Sequence, residues 1–114
     1  MKTKIRYCGV IAMILQGVSG ISHAADQDLR ATGKQVFDRW CVHCHGDGPE
    51  YPGTVALQAL YKGAKPALLE RRTDLAPAIT GQFVRNGVSI MPFFRKTEIS
   101  DAELAALAAY LAPR

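Results

Sequence analysis

Cysteine and histidine are scarce in this 114-residue chain, with three of each, and one of each falls within the first 24 residues. Beyond that point only Cys41, Cys44, His43 and His45 remain. Two thiols so close together exclude a disulfide scaffold, which needs more cysteines at wider spacing. A closed zinc site needs two further Cys or His ligands outside this cluster, so it is excluded within one chain. No apolar run reaches the roughly 20 residues that a membrane-spanning helix needs. No segment alternates convincingly as strands do, and neither repeats nor low-complexity tracts occur. Charge of one sign is also lacking. Of 14 Lys and Arg, three lie near the N-terminus, and the remaining 11 face 10 Asp and Glu. A balance near +1 gives no reason to expect nucleic acid as a partner.

What is present begins with a processing signal. Lys2, Lys4 and Arg6 make a basic start, residues 10–15 are apolar, and Gln16, Gly17, Ser19 and Gly20 then interrupt the run. Ser22 and Ala24 place small residues three and one positions before a cut, the order of a secretory signal peptide. Residues 1–24 are therefore expected to be removed, and Cys8 with them. Residues 25–114 then form one domain in the periplasm. About 90 residues make a small core, which benefits from a staple.

The patterning predicts an all-α domain. Gly33, Val36, Phe37 and Trp40 share a face of a helix over 28–40. Residues 46–53 carry the Gly and Pro signals of a loop. Val55, Leu57, Leu60 and Tyr61 suit a short helix ended by Gly63, and Pro66 suits the first turn of another. Asp74 can cap a helix over 75–86 closed by Gly87, with a hairpin at Asn86-Gly87 as the alternative. Ser100 and Glu103 form a capping box before Leu104, Leu107, Ala108 and Leu111, and Pro113 ends that helix.

The chemistry lies in Cys41-Val42-His43-Cys44-His45, the C-x-x-C-H pattern of covalent c-type haem attachment. Two thiols at this spacing reach the two vinyl groups on one porphyrin edge, and the following imidazole meets the iron. Cys41 and Cys44 are thus candidate thioether anchors and His45 a candidate axial ligand, while His43 faces solvent. Met91, the only methionine after position 24, precedes Pro92 in a loop and is the candidate sixth ligand, because Met opposite His raises the potential. A core methionine is the plain alternative. A backbone carbonyl near Pro52, or else Pro49, is expected to accept from the second nitrogen of His45. Trp40 is read as a wall of the haem pocket, and Gly33 and Phe37 as a seat for the last helix at Leu107 and Tyr110. Trp40-Cys41-Val42-His43-Cys44 also looks like the W-C-x-x-C site of thiol oxidoreductases. That chemistry needs a low-pKa thiolate at a helix N-terminus and βαβ strands, and neither is evident here.

Together these residues resemble a class I cytochrome c. The resemblance covers the chain after position 24, from the Gly-x-x-x-Phe helix through C-x-x-C-H to the N-G-x-x-x-M-P loop and an aromatic-bearing last helix. It implies a small helical bundle wrapped round one covalently bound haem c, which carries single electrons through one exposed edge and forms no substrate bond. The stretch from Phe83 to Pro92 is further similar to the cytochrome subunits of 4-cresol methylhydroxylase-type flavocytochromes, including those that oxidise eugenol. Those dock on a flavoprotein and drain its FAD. This likeness implies an FAD-containing dehydrogenase acting on phenolic substrates as donor. Another cytochrome, a copper protein or a terminal oxidase would be the acceptor. Phe93 and Phe94 are candidates for the docking patch, with Arg85, Arg95 and Lys96 steering an acidic partner. A catalytic or gas-sensing haem, with Met91 displaced by peroxide or a diatomic gas, is the alternative of another class.

Overall fold

A computed structural model describes residues 19–113. The basic start, the apolar stretch and Cys8 of the expected signal peptide lie outside them. Among the described residues five α-helices follow one another: α1 (Ser19–Trp40), α2 (Val42–His45), α3 (Pro52–Tyr61), α4 (Pro77–Asn86) and α5 (Asp101–Leu111). A single 3-10 turn, Leu69–Arg71, lies between α3 and α4. Among the described residues there is no strand, so the all-α expectation holds. α1 starts upstream of the expected 28 and runs unbroken past Ala24, but residues 23–29 are exposed and the packed part begins near Gly33.

The core is made by the two ends of the chain. α1 packs on α5, and α4 closes against α5. Val36, Phe37, Leu75, Val84, Ile99, Leu107 and Leu111 form one buried cluster. Burying each such side chain contributes about 1.5–3 kcal/mol. Gly33 permits the approach. A Cβ there would fall 2.6 Å from the carbonyl carbon of Ala106 and 2.7 Å from Cβ of Tyr110. The Phe37 and Tyr110 rings meet at 5.8 Å, and Tyr110 donates to the Glu70 carboxylate. The expected seat of Gly33 and Phe37 against Leu107 and Tyr110 is thus what the helices make.

Between α3 and α4 the sequence expectations fail. α3 starts earlier, with Pro52 in its first turn, and Lys62 ends it in the left-handed region at φ +48 before Gly63. No helix starts at Pro66, and Asp74 caps nothing. The cause is Arg72, whose side chain is only 7% exposed. Its guanidinium lies over the Tyr61 ring at 5.0 Å and donates to Tyr61 Oη at 2.7 Å. It also grips both Asp74 carboxylate oxygens at 2.6 and 2.7 Å. Asp74 is consumed by that fork, so α4 begins at Pro77 behind Ala76. Proline suits this first position, where a missing N–H costs nothing.

At the C-terminal end the expectations hold. Gly87 closes α4 at φ +67, and no hairpin turns at Asn86-Gly87, though an isolated antiparallel bridge joins Val88 to Met91 just beyond. Ser100 accepts from the Glu103 N–H at 3.2 Å, while Glu103 accepts from the Ser100 N–H at 2.8 Å.

Candidate haem site

The C-x-x-C-H motif forms a helical turn almost continuous with α1. Cys41 N–H still donates to Phe37 at 2.8 Å, and the Cys44 and His45 N–H groups both reach the Cys41 carbonyl, at 3.1 and 2.9 Å. Helical spacing therefore brings Cys41, Cys44 and His45 to one side of α2. Both thiols are free, Cys41 half-buried and Cys44 exposed, and His43 is exposed as expected. Burial, with Cys44 beside it, pushes the Cys41 thiol up to about 12. A nucleophilic thiol needs the opposite shift, so the thiol oxidoreductase reading loses its chemistry as well as its strands.

His45 is half-buried, and burial lowers its pKa, which favours the neutral imidazole that a metal ligand must be. Its Nδ1 is buried and has no hydrogen-bond partner among the described residues. Pro52 is the first residue of α3. Gly53 lies beside the ring. A Cβ on Gly53 would fall 2.8 Å from Cε1 and 3.0 Å from Nδ1 of His45, and 2.7 Å from the Cys44 carbonyl. The next residue, Thr54, is buried and donates its hydroxyl to the Gly46 carbonyl at 2.8 Å. Neither Gly53 nor Thr54 stands out in the sequence. Only a hydroxyl two residues past a helix-starting proline hinted at an inward bond.

Met91 lies on a pinned turn. Val88 N–H donates to the Met91 carbonyl at 3.1 Å and Met91 N–H to the Val88 carbonyl at 2.9 Å, with Ser89 at φ +53 between them. Gly87 is required here, because a Cβ would lie 2.7 Å from the Met91 carbonyl. Phe94 N–H donates to Val84 at 2.8 Å and anchors the exit of the loop. Arg85 grips that exit too, donating to the Phe94 and Ile99 carbonyls at 3.1 and 2.8 Å and pairing with Asp101 at 2.9 Å.

Of the three cations expected to steer a partner, Arg85 is engaged inward, while Lys96, paired with Asp101 at 2.7 Å, and Arg95, paired with Glu98 at 3.4 Å, remain largely exposed. The two phenylalanines divide: Phe93 is 61% exposed, while Phe94 turns in and meets the Trp40 ring edge-on at 5.8 Å.

That ring contact brings the two halves of the candidate site together. Trp40 immediately precedes Cys41, and Phe94 follows Met91 by three residues. Trp40, Cys41, Met91 and Phe94 all pack against the same core cluster. The residues suit a covalently held haem: two free thiols one turn apart, a neutral imidazole, and a thioether on a fixed loop. Nε1 of Trp40 is a further buried donor without a partner. Val55, Ile79, Phe83, Val88 and Ile90 leave apolar surface on α3, α4 and the Met91 loop, which suits a large flat apolar group.

An all-α fold with this donor set defines a small c-type cytochrome. Over residues 28–111 the chain matches the family described as cytochrome C oxidase, cbb3-type, subunit III, and it belongs to that family. It is also 38% identical over 81 residues to cytochrome c6 of Tetradesmus obliquus, a match covering 71% of this chain and 85% of that protein. No solved structure matches it. The protein is accordingly a c-type cytochrome, an electron carrier with one covalently attached haem c. Among the described residues no helix is long and apolar enough to cross a membrane.

Proposed function

We propose that Cys41 and Cys44 anchor the haem through thioether bonds and that His45 and Met91 are its axial ligands, with Trp40 walling the pocket. The observation that carries this reading is the convergence of the Cys41–His45 turn and the Met91 loop through the Trp40–Phe94 contact. When bound, the haem supplies a one-electron Fe(III)/Fe(II) couple. The chain's own contribution is to hold a neutral imidazole and a thioether on two pinned segments, and to keep water away with Phe94, Trp40 and the core behind them.

Residues 1–24 are a signal peptide in this reading, and the protein works in the periplasm. Its donor is an FAD-containing dehydrogenase acting on phenolic substrates, which the likeness of residues 83–92 to flavocytochrome subunits supports. Its acceptor is another cytochrome, a copper protein or a terminal oxidase. The family description, which names an oxidase subunit, supports the last of these. Exposed Phe93 beside the Met91 loop offers the apolar contact that docking needs. A transient encounter over a small area suits such a surface.

The test is an oxidised and reduced visible spectrum of protein exported with haem-maturation machinery, repeated after acidic organic extraction. Sharp low-spin bands that survive extraction are expected, with the far-red methionine-to-iron band in the oxidised form. A colourless protein with two titratable thiols would overturn the assignment. Reduction by a phenol-oxidising flavoprotein, absent with unrelated flavoproteins, tests the donor.

A further inference from the structure

We propose that Thr80 on α4 is a positioning residue that raises the reduction potential by donating a hydrogen bond to the Met91 thioether. The inference rests on reading Met91 as an axial ligand and deepens it by naming what acts on its sulfur. Thr80 is only 6% exposed, and its hydroxyl is buried with no hydrogen-bond partner among the described residues. Taking a hydroxyl out of water without a partner costs stability, and a valine of the same shape would avoid that cost. A threonine within a helix ordinarily escapes by bonding the carbonyl four residues back. Here that carbonyl, on Ala76, already receives the Ile79 N–H at 2.9 Å and the Thr80 N–H at 3.4 Å, and the hydroxyl does not join them.

Helical spacing shows where the hydroxyl can turn. Val84 lies about 40° from Thr80 around α4, and Phe83 about 60° away on the other side. Val84 belongs to the buried cluster against which Met91 packs. Phe83 and Ile79 instead carry exposed apolar surface, of the kind that a haem would cover. Thr80 therefore sits on the border between the core and that open flank. The Met91 loop closes back on the same border. Gly87 ends α4, the Val88–Met91 turn follows at once, and Phe94 N–H returns to the Val84 carbonyl at 2.8 Å. Val84 thus holds the loop and stands one turn from Thr80. The Met91 sulfur, a weak acceptor, is the partner that the chain itself can bring there when the pocket is filled. A hydrogen bond to it draws electron density from the thioether and favours Fe(II).

Redox titration of Thr80→Val, with its oxidised visible spectrum, tests this. Covalent haem and a low-spin spectrum should be retained, with a lowered potential and a displaced far-red methionine-to-iron band. Thr80→Ser should bring both back, which a purely space-filling role would not require. Wild-type potential and band in Thr80→Val would overturn the proposal. Should Thr80→Val yield too little haem protein, Thr80→Ala gives the same reading: a lowered potential supports the proposal and an unchanged one overturns it. Combining Thr80→Val with Met91→Ala separates the two layers. With Met91 gone, loss of the hydroxyl should shift the potential no further, and a further drop of the same size would overturn the proposal. An unchanged potential and far-red band in Met91→Ala alone removes the ligand assignment itself. A lowered potential there, alongside wild-type values in Thr80→Val, removes only the role of Thr80.

Discussion

At the scale of single residues, the candidate ligands differ in how much of their setting can be read from spacing. The C-x-x-C-H turn is local, so five consecutive residues specify it completely. Met91 is legible because it is alone and stands before a proline. The close approach of Gly53 to His45 and the Thr54 bond to Gly46 are not legible, since no short pattern encodes an approach between two elements. Pro52 reads as a loop residue in sequence, yet it starts α3. Met91→Ala should keep covalent haem while lowering the reduction potential by a few tenths of a volt, part of the roughly 0.8 V that axial ligands span. Redox titration measures this, and an unchanged potential with the far-red band intact would remove Met91 from the ligand set.

At the scale of elements, helix ends explain both the successes and the failures of patterning. α5 was legible from Ser100 and Glu103, because a capping box is closed by residues three apart. Ser100→Ala should cost about 1 kcal/mol, the usual value of such a cap, read as a lowered urea midpoint at constant slope. The start of α4 was not legible, because Asp74 is claimed by Arg72 and Lys65 from outside its own helix. Arg85 shows the same limit at the other end of α4. It reads as a surface cation in sequence, yet it binds two carbonyls and Asp101 behind the Met91 loop. Arg85→Gln should therefore loosen that loop without touching the haem. The expected outcome is faster carbon monoxide binding to the reduced form, by roughly tenfold for each 1.4 kcal/mol of lost closure. Binding as slow as in the wild type would show that Phe94 N–H and Gly87 hold the loop alone.

At the scale of the whole molecule, charge sets how stability responds to acid. The Arg72 guanidinium holds Asp74 well below the usual carboxylate range, Lys96 lowers Asp101, the Arg95 N–H lowers Glu98, and the Ser100 hydroxyl lowers Glu103. Each folded pKa lies below its unfolded value. The stabilisation is thus complete above about pH 4.5, where unfolded carboxyls are ionised, and is lost as pH falls toward the folded values. Asp74 and Asp101 are exposed and Glu98 and Glu103 only half-buried, so each contributes little and salt screens it. The melting temperature should begin to fall below about pH 6.5, where His45 protonates more readily in the unfolded chain, and decline more steeply below about 4 as the carboxylates are lost. A melting temperature that holds to pH 3, or rises, would show that these pairs do not couple to folding.

The pairing of α1 with α5 also dictates when the domain can close. Its first packed residues, Gly33, Val36 and Phe37, meet Ala106, Leu107 and Leu111 of α5, far along the chain. A chain emerging from the ribosome N-terminus first therefore cannot complete this core until α5 appears. Contacts this distant in sequence also form slowly. The polypeptide stays open and threadable while it is synthesised, and the Cys41–His45 turn stays reachable by whatever fastens its haem. Truncation before residue 101 would leave that window open permanently.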